Sequence, residues 1–402
     1  MNDFLKFLAV NRVVFLWGIL VLLLGLRLYF YKGENLPTNV NLTFEGTIKN
    51  DVKTTEGGQQ ITFANLKIYV PMYPSYQYGD RLNVSGFVSE RGVMSNPKVA
   101  VVGKTNSFEV FLHDLRAKML EGIEKLMPQN EASLVSGSVL GTDRLGADFK
   151  SQLVKTGTIH VVVVSGQNLA IVVGFIMAFS KYIGRRKTAA AAVLFAVLYA
   201  LFTGFAIPVI RGLIMVGFSF GALLYGRMSS ALMSLFAAAA VIILIWPESI
   251  SSISFQLTFA ASLGIMTMGK ILEDKLSFLP VAGQNAAVSL SAFLFTAPII
   301  VFYFGRISFL SPLVNILVLE AVTPLMLLGF LMSAATLLFM PLARILAVFA
   351  FVPAKYFSYV VIEFSKIDAG YFDWMVNEWT VAIYYAAILL ITFIWTKRQV
   401  QS

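Results

Sequence analysis

From residue 161 to residue 395 the chain is a succession of apolar runs, most of them about as long as a bilayer is thick, separated by short charged or turn-forming segments. The runs cover 161–180, 188–205, 209–225, 230–246, 253–269, 286–304, 312–337, 345–362 and 381–395. A tenth, 13–31, lies near the start and is followed by no small-residue cleavage site. A chain of this pattern has one outlet for its apolar surface, lipid, and the expected fold is a polytopic α-helical membrane protein of about ten transmembrane helices. With 57% hydrophobic and 13% charged residues in 402, the composition lies outside that of ordinary soluble domains. There is no cysteine and there are two histidines, His113 and His160. Thiol nucleophiles, disulfides and zinc-thiolate sites are thereby excluded, and a multi-histidine metal centre is not expected.

Lys and Arg resist translocation, so their placement predicts topology. With the N-terminus inside, the inside segments carry Lys6, Arg12, Lys181, Arg185, Arg186, Lys187, Arg227, Lys270, Lys275, Arg344, Lys397 and Arg398 against Asp3, Glu273 and Asp274. That excess equals the net charge of the whole chain, +9. The basic balance is thus accounted for by topology and is no sign of a nucleic-acid surface. Both termini are expected in the cytoplasm.

Residues 1–37 read as an N-terminal membrane anchor, and 38–104 as a small extracytoplasmic β-barrel inserted after the first helix. Four or five short β-rich stretches, separated by turn signals such as Glu56-Gly57-Gly58 and Tyr78-Gly79-Asp80, fit an OB-like barrel. Such barrels bind single strands by stacking bases on aromatics beside basic residues, which makes Lys49, Lys67, Tyr69 and Arg81 candidate DNA contacts. Against this, some aromatics must fill the barrel core, and the segment has only seven basic residues to five acidic. Residues 105–158 read as an amphipathic helical linker at the outer mouth. Phe108, Phe111, Leu112, Leu115, Met119, Ile123 and Leu126 share one face of its first helix. Residues 159–402 form the polytopic domain.

Polar groups in lipid are costly and mark helix contacts, cavities or pathways. Four clusters interrupt the apolar pattern. Ser165-Gly166-Gln167-Asn168 splits the run 161–180; Thr203, Gly204 and Pro208 precede Arg211; Ser254, Gln256, Thr258 and Ser262 share the run 253–269. Gly305, Arg306, Ser311, Pro312, Asn315, Glu320 and Pro324 form the last cluster. Each admits two readings: interhelical hydrogen bonding, in which small and polar residues hold helices together, or broken helices lining a pathway. Four in one bundle favour the pathway.

These same stretches resemble the ComEC family of bacterial competence membrane proteins. A family pattern of the form GLSHLLAVSGLHV is matched by "GTIHVVVVSGQNLAI", and LTGFSPSVLRA by "FTGFAIPVIRG". SFQLSFAAVLG is matched by "SFQLTFAASLG", and FGTLSLLSPLANLL by "FGRISFLSPLVNIL". The approach segment "VLGTDRLGADFKSQLVKTG" and an outer OB-like domain are similar to the family's as well. The chain departs from the pattern where the family has a second His after its Ser-Gly pair and this sequence has Gln167 and Asn168. Glu320 is a further departure, with Arg211 or Arg306 as possible partners.

The resemblance implies an inner-membrane channel that takes up transforming DNA as a single strand. Ser165, Gly166, Gln167, Asn168, Arg211, Gln256, Asn315 and Glu320 would be its lining or gating positions. It implies partners as well: DNA in transit, the lipid bilayer, a DNA receptor outside, a cytoplasmic helicase-like motor, a separate nuclease and a second copy of the chain. Many members carry a C-terminal metallo-β-lactamase-like domain, whereas this sequence ends shortly after its last run without an HxHxDH pattern. The expectation is therefore a channel without its own nuclease, no enzyme and no cofactor. A secondary transporter of a small anion uses the same broken helices and is the alternative. An intramembrane serine hydrolase fits poorly, because on one helix Ser165 and His160 lie about 140° apart.

Overall fold

The computed structural model describes residues 22–31, 39–48, 52–55, 58–63, 66–90, 92–95, 97–105, 107–162, 165–226, 230–279, 282–367, 371–373 and 376–401. The first part of the expected span 13–31, residues 13–21, lies outside the described residues; 22–29 are helical. The chain divides into two compact units, Lys32–Lys118 and Met1–Tyr31 with Met119–Ser402.

The smaller unit is built on seven strands: β1 (Val40–Thr47), β2 (Lys53–Thr55), β3 (Gly58–Phe63), β4 (Leu66–Val70), β5 (Asp80–Val88), β6 (Val93–Ser95) and β7 (Lys98–Lys104). Their hydrogen-bonded order is β1-β5-β6-β4-β3-β2, with β7 on β5. The β4–β6 pairing is parallel and the others are antiparallel. Strand periodicity sets what is inside. On β4, Leu66, Ile68 and Val70 are buried while Lys67 and Tyr69 are exposed. The inward set joins Ile48, Ile61, Leu82, Val84, Val88 and Met94 in one core. Gln59 braces the following loop: its Nε2 donates to the carbonyls of Pro71, Met72 and Pro74, and its Oε1 accepts from the Tyr76 amide.

The larger unit is helical. Its elements are the end of α1 (Phe108–Leu126), α2 (Gln129–Leu140), α3 (Ala147–Lys155), α4 (Ile159–Val162), α5 (Gly166–Ala178), α6 (Ser180–Ile183), α7 (Arg185–Phe202), α8 (Ile207–Leu224), α9 (Ala231–Ile245), α10 (Ile253–Lys275), α11 (Ala282–Phe304), α12 (Ser311–Leu338), α13 (Met340–Ser365) and α14 (Glu378–Gln401). Two short strands, β8 (Arg306–Ser308) and β9 (Tyr371–Asp373), pair antiparallel between helices. Among the described residues, α8, α10, α11, α12 and α13 are long and apolar enough to cross a bilayer, and α5, α9 and the first part of α14 are shorter apolar helices. The chain is a multi-pass helical membrane protein.

Helix α2 is buried at every position from Glu131 to Leu140, and Gly141 closes it in the left-handed conformation at φ 72°. Val135 and Val139 pack in the same core as Val318, Val322, Leu325, Ala350 and Phe357 of α12 and α13. The α1 face foreseen in the sequence holds only in part. Met119 and Ile123 are buried, but Phe108 and Phe111 are exposed and stack on each other. The early turns of α1 belong to the smaller unit and pack there through Val110, whose methyl lies against Gly79. In that unit His113 stacks on Tyr78 with ring centroids 4.2 Å apart, a packing role.

Helices α10 and α11 approach so closely that a Cβ on Gly264 would sit 2.5 Å from the Ser291 carbonyl oxygen and 2.8 Å from the Phe295 ring. Gly264→Ala should therefore destabilise the protein by about 1–3 kcal/mol, as overpacking does. Gly174→Ala, where nothing lies within 4 Å, should leave it unchanged or slightly more stable. Thermal unfolding of the two variants in mild detergent, followed by size exclusion, tests the difference.

Candidate functional site

The Ser-Gly-Gln-Asn interruption is a helix start inside an apolar run. Helix α4 stops at Val162 and α5 begins at Gly166, with Ser165 extended at its N-cap (φ −125°, ψ 164°). The Asn168 amide donates to Ser165 Oγ at 3.3 Å, and Ser165 Oγ donates to Asn168 Oδ1 at 3.0 Å. Asn168 Nδ2 then reaches α2, donating to the Ser138 carbonyl at 2.9 Å, and the Tyr199 hydroxyl of α7 donates to the same oxygen at 3.2 Å. Asn168 is 1% exposed; Gln167 beside it is exposed. Ser165 and His160 thus stand on different helices, and the Ser165 hydroxyl is engaged with Asn168.

The second cluster meets the first at Gly166. The chain turns between α7 and α8 with Gly204 at φ 73° and Phe205 at φ 57°, while Thr203 Oγ1 caps back onto the Tyr199 carbonyl at 2.8 Å. Pro208, in the first turn of α8, suits a position whose N–H has no helical acceptor. One turn on, the Arg211 guanidinium lies against Gly166: a Cβ there would collide with Arg211 Nη2 and stand 3.1 Å from the Pro208 carbonyl oxygen. Arg211 Nη1 has the Met215 sulfur at 3.6 Å. Arg211 Nε is buried and has no hydrogen-bond partner.

The fourth cluster meets the chain leading to the first at Gly157, which has φ 69° and on which a Cβ would lie 2.5 Å from Ser311 Cβ. Ser311 Oγ donates to the Gly157 carbonyl and Asn315 Nδ2 donates to Ser311 Oγ, each at 3.3 Å. Asn315 Oδ1 is buried without a partner. The third cluster touches the second through apolar contact, Phe255 packing with Ile210. Gln256 turns instead to its own helix start, donating to the Ile250 carbonyl at 3.1 Å. Glu320 is exposed and accepts from Asn285 Nδ2 of α11.

In the smaller unit Lys67 and Tyr69 share the exposed face of β4. Arg81 is on β5, with β6 between it and β4 in the sheet order, and its Nη2 lies 3.0 Å from Glu45 Oε2 on the paired strand β1. Both side chains are solvent-exposed, so the pairing is weak. Lys49 lies outside the described residues.

Sequence reasoning placed α2 in a linker and passed over Glu131. Its side chain is 3% exposed, accepts from Ser358 Oγ at 2.7 Å and lies 3.4 Å from Lys355 Nζ. Next to it, Ser133 and Ser136 help line an open pocket of about 390 Å³ with Glu124, Gln129 and Arg144. The available signal was compositional: "SLVSGSVLG" is a small-residue pattern of the kind that permits close helix packing.

Asn168 closes the start of α5 and ties it to α2, so Asn168→Ala should cost about 1–3 kcal/mol by leaving buried groups unpaired. Exposed Gln167→Ala should stay within about 0.5 kcal/mol of the parent. Denaturant or thermal unfolding of the two variants in one detergent makes the comparison.

The family model described as "Competence protein" matches residues 139–399, from the end of α2 through nearly all of α14. Among curated proteins, ComE operon protein 3 of Bacillus subtilis (strain 168) is 28% identical over 222 residues, which is 54% of this chain and 28% of that protein's length. No solved structure matches the chain. The family match takes in all four clusters and the contacts at Gly157, Gly166 and Arg211 that join them, and the chain belongs to the competence protein family.

Proposed function

We propose that this protein is an inner-membrane channel through which transforming DNA enters the cytoplasm as a single strand. The observation that carries the reading is the contact of two family motifs at the start of α5, where Gly166 receives Arg211, with a third meeting the same motif upstream at Gly157. At that helix start Ser165, Gly166 and Asn168 face α2 and α8, and a guanidinium has no acidic partner among the described residues. A polyanion crossing a membrane needs weak, repeated contacts, because a groove dense in Lys and Arg would hold it. Gln167, Gln256, Asn315 and Glu320 are proposed as further lining or gating positions.

The proposed topology has ten spans, both termini inside and the strand-rich unit outside. In that unit β1 and β2 would be the two halves of one bent strand. The path β1-β5-β6-β4-β3-β2 would then close on itself as an OB-like barrel, presenting Lys67 and Tyr69 to an incoming strand. The protein performs no chemistry of its own in this scheme. Its partners are a receptor outside, a helicase-like motor inside and a separate nuclease.

The test is uptake of end-labelled duplex DNA by the parent strain, a deletion strain and the deletion complemented with wild type or Asn168→Leu. Labelled single strand in the cytosol should vanish on deletion, return with wild type, and return at least about ten-fold weaker with Asn168→Leu. Normal import by the deletion strain would falsify the channel reading and turn attention to small anions.

A further inference from the structure

In the helical unit Glu131 is buried and Arg211 is half-buried with its Nε enclosed, and the two charges are met differently. Glu131 is answered from within the chain, by Ser358 Oγ and Lys355 Nζ. Arg211 is not. It sits in the second turn of a helix long and apolar enough to span, and its Nε is buried and unpartnered. A thioether sulfur at 3.6 Å is the one hydrogen-bonding neighbour of its Nη1. An arginine in a membrane helix is costly, and elsewhere such groups pair with acids or carbonyls. A lone guanidinium fork is complementary to an anion that presents two oxygens, as a phosphate does.

The fork's position is set by Gly166. Because residue 166 has no side chain, Arg211 Nη2 lies directly on the first turn of α5, beside the Pro208 carbonyl. Any side chain there would push the guanidinium off this seat. Glycine at 166 and arginine at 211 are therefore two parts of one device.

We propose that Arg211, seated on Gly166, binds one phosphodiester group at a time. The inference rests on the channel reading for the identity of its main ligand, the backbone of a single strand in transit. The same chemistry is offered by a phospholipid headgroup, so the experiment has an arm for each source.

The protein is the full chain in a phosphate-free maltoside detergent, in a Lys67→Ala, Tyr69→Ala background that removes the outer unit's proposed contacts. One arm measures anisotropy of a fluorescein-labelled oligothymidylate and of its uncharged methylphosphonate analogue. The other measures the thermal shift produced by short-chain phosphatidylglycerol. Arg211→Gln should weaken the phosphodiester strand by at least about ten-fold, the usual effect of losing a charged hydrogen-bonding partner. Binding of the methylphosphonate should be unchanged. Arg211→Lys should fall between, and Gly166→Ala, which keeps the charge but moves it, should resemble Arg211→Gln. If Arg211→Gln is not monodisperse, the Gly166→Ala and Arg211→Lys comparison and the two probes on the parent decide.

A parent that ignores the strand but loses its lipid shift in Arg211→Gln keeps the phosphate seat, assigns it to a headgroup and counts against the channel reading. A parent that binds the strand while the variants change neither arm overturns the seat and leaves the channel reading standing. A parent that responds to neither probe overturns the seat.

Discussion

The arrangement of the helical unit turns on a single carbonyl. Ser138 O, near the end of a helix buried on all sides, accepts from both Asn168 Nδ2 and Tyr199 OH. In a hydrocarbon environment an unpaired amide or hydroxyl has no water to fall back on. That oxygen gives Asn168 Nδ2 and Tyr199 OH a buried acceptor, and it is in reach because α2 runs inside the helical unit. Helix α2 is fixed in turn at its other end, where Glu131 meets Ser358 and Lys355 of α13. Three parts of the chain separated by more than thirty residues each are thereby held to one short helix.

Glycines decide how closely the family motifs approach. Gly157 lets Ser311 against the chain leaving α3, Gly166 receives Arg211, and Gly264 admits the Ser291 carbonyl. Each contact lies at a place where a Cβ would collide. Without a hydrophobic drive between helices in lipid, close packing and hydrogen bonds must supply the association. Residues that read in the sequence as helix breakers are, in the fold, points of contact.

The proposed channel would work through what this packing leaves unsatisfied. Most intramembrane polar groups are spent internally: Ser165 and Asn168 on each other and on α2, Gln256 on the Ile250 carbonyl, Ser311 on Gly157. Among the described residues Ser291 Oγ and Ser308 Oγ are left over, as are Arg211 Nε and Asn315 Oδ1. The last two lie on the two sides of the motif that begins at Gly157 and ends at Asn168. In the proposed channel a passing strand would make weak contacts with a few such groups.

The membrane class was determined by sequence alone, because apolar runs of bilayer length have no other stable destination, and so was the Ser-Gly-Gln-Asn break, because four small or polar residues interrupt an apolar run there. The alternation on β4 likewise fixed Lys67 and Tyr69 on one exposed face. Tertiary structure decided the rest. It put α2 inside the helical unit, since a short helix of small residues and one glutamate looks polar until its partners are known. It joined Gly166 to Arg211 and Gly157 to Ser311 across 45 and 154 positions, distances over which no local periodicity carries information. It also gave Arg81 to Glu45 and Glu320 to Asn285. A charge's role depends on which opposite group comes within hydrogen-bonding reach, and that is settled only when the chain has folded.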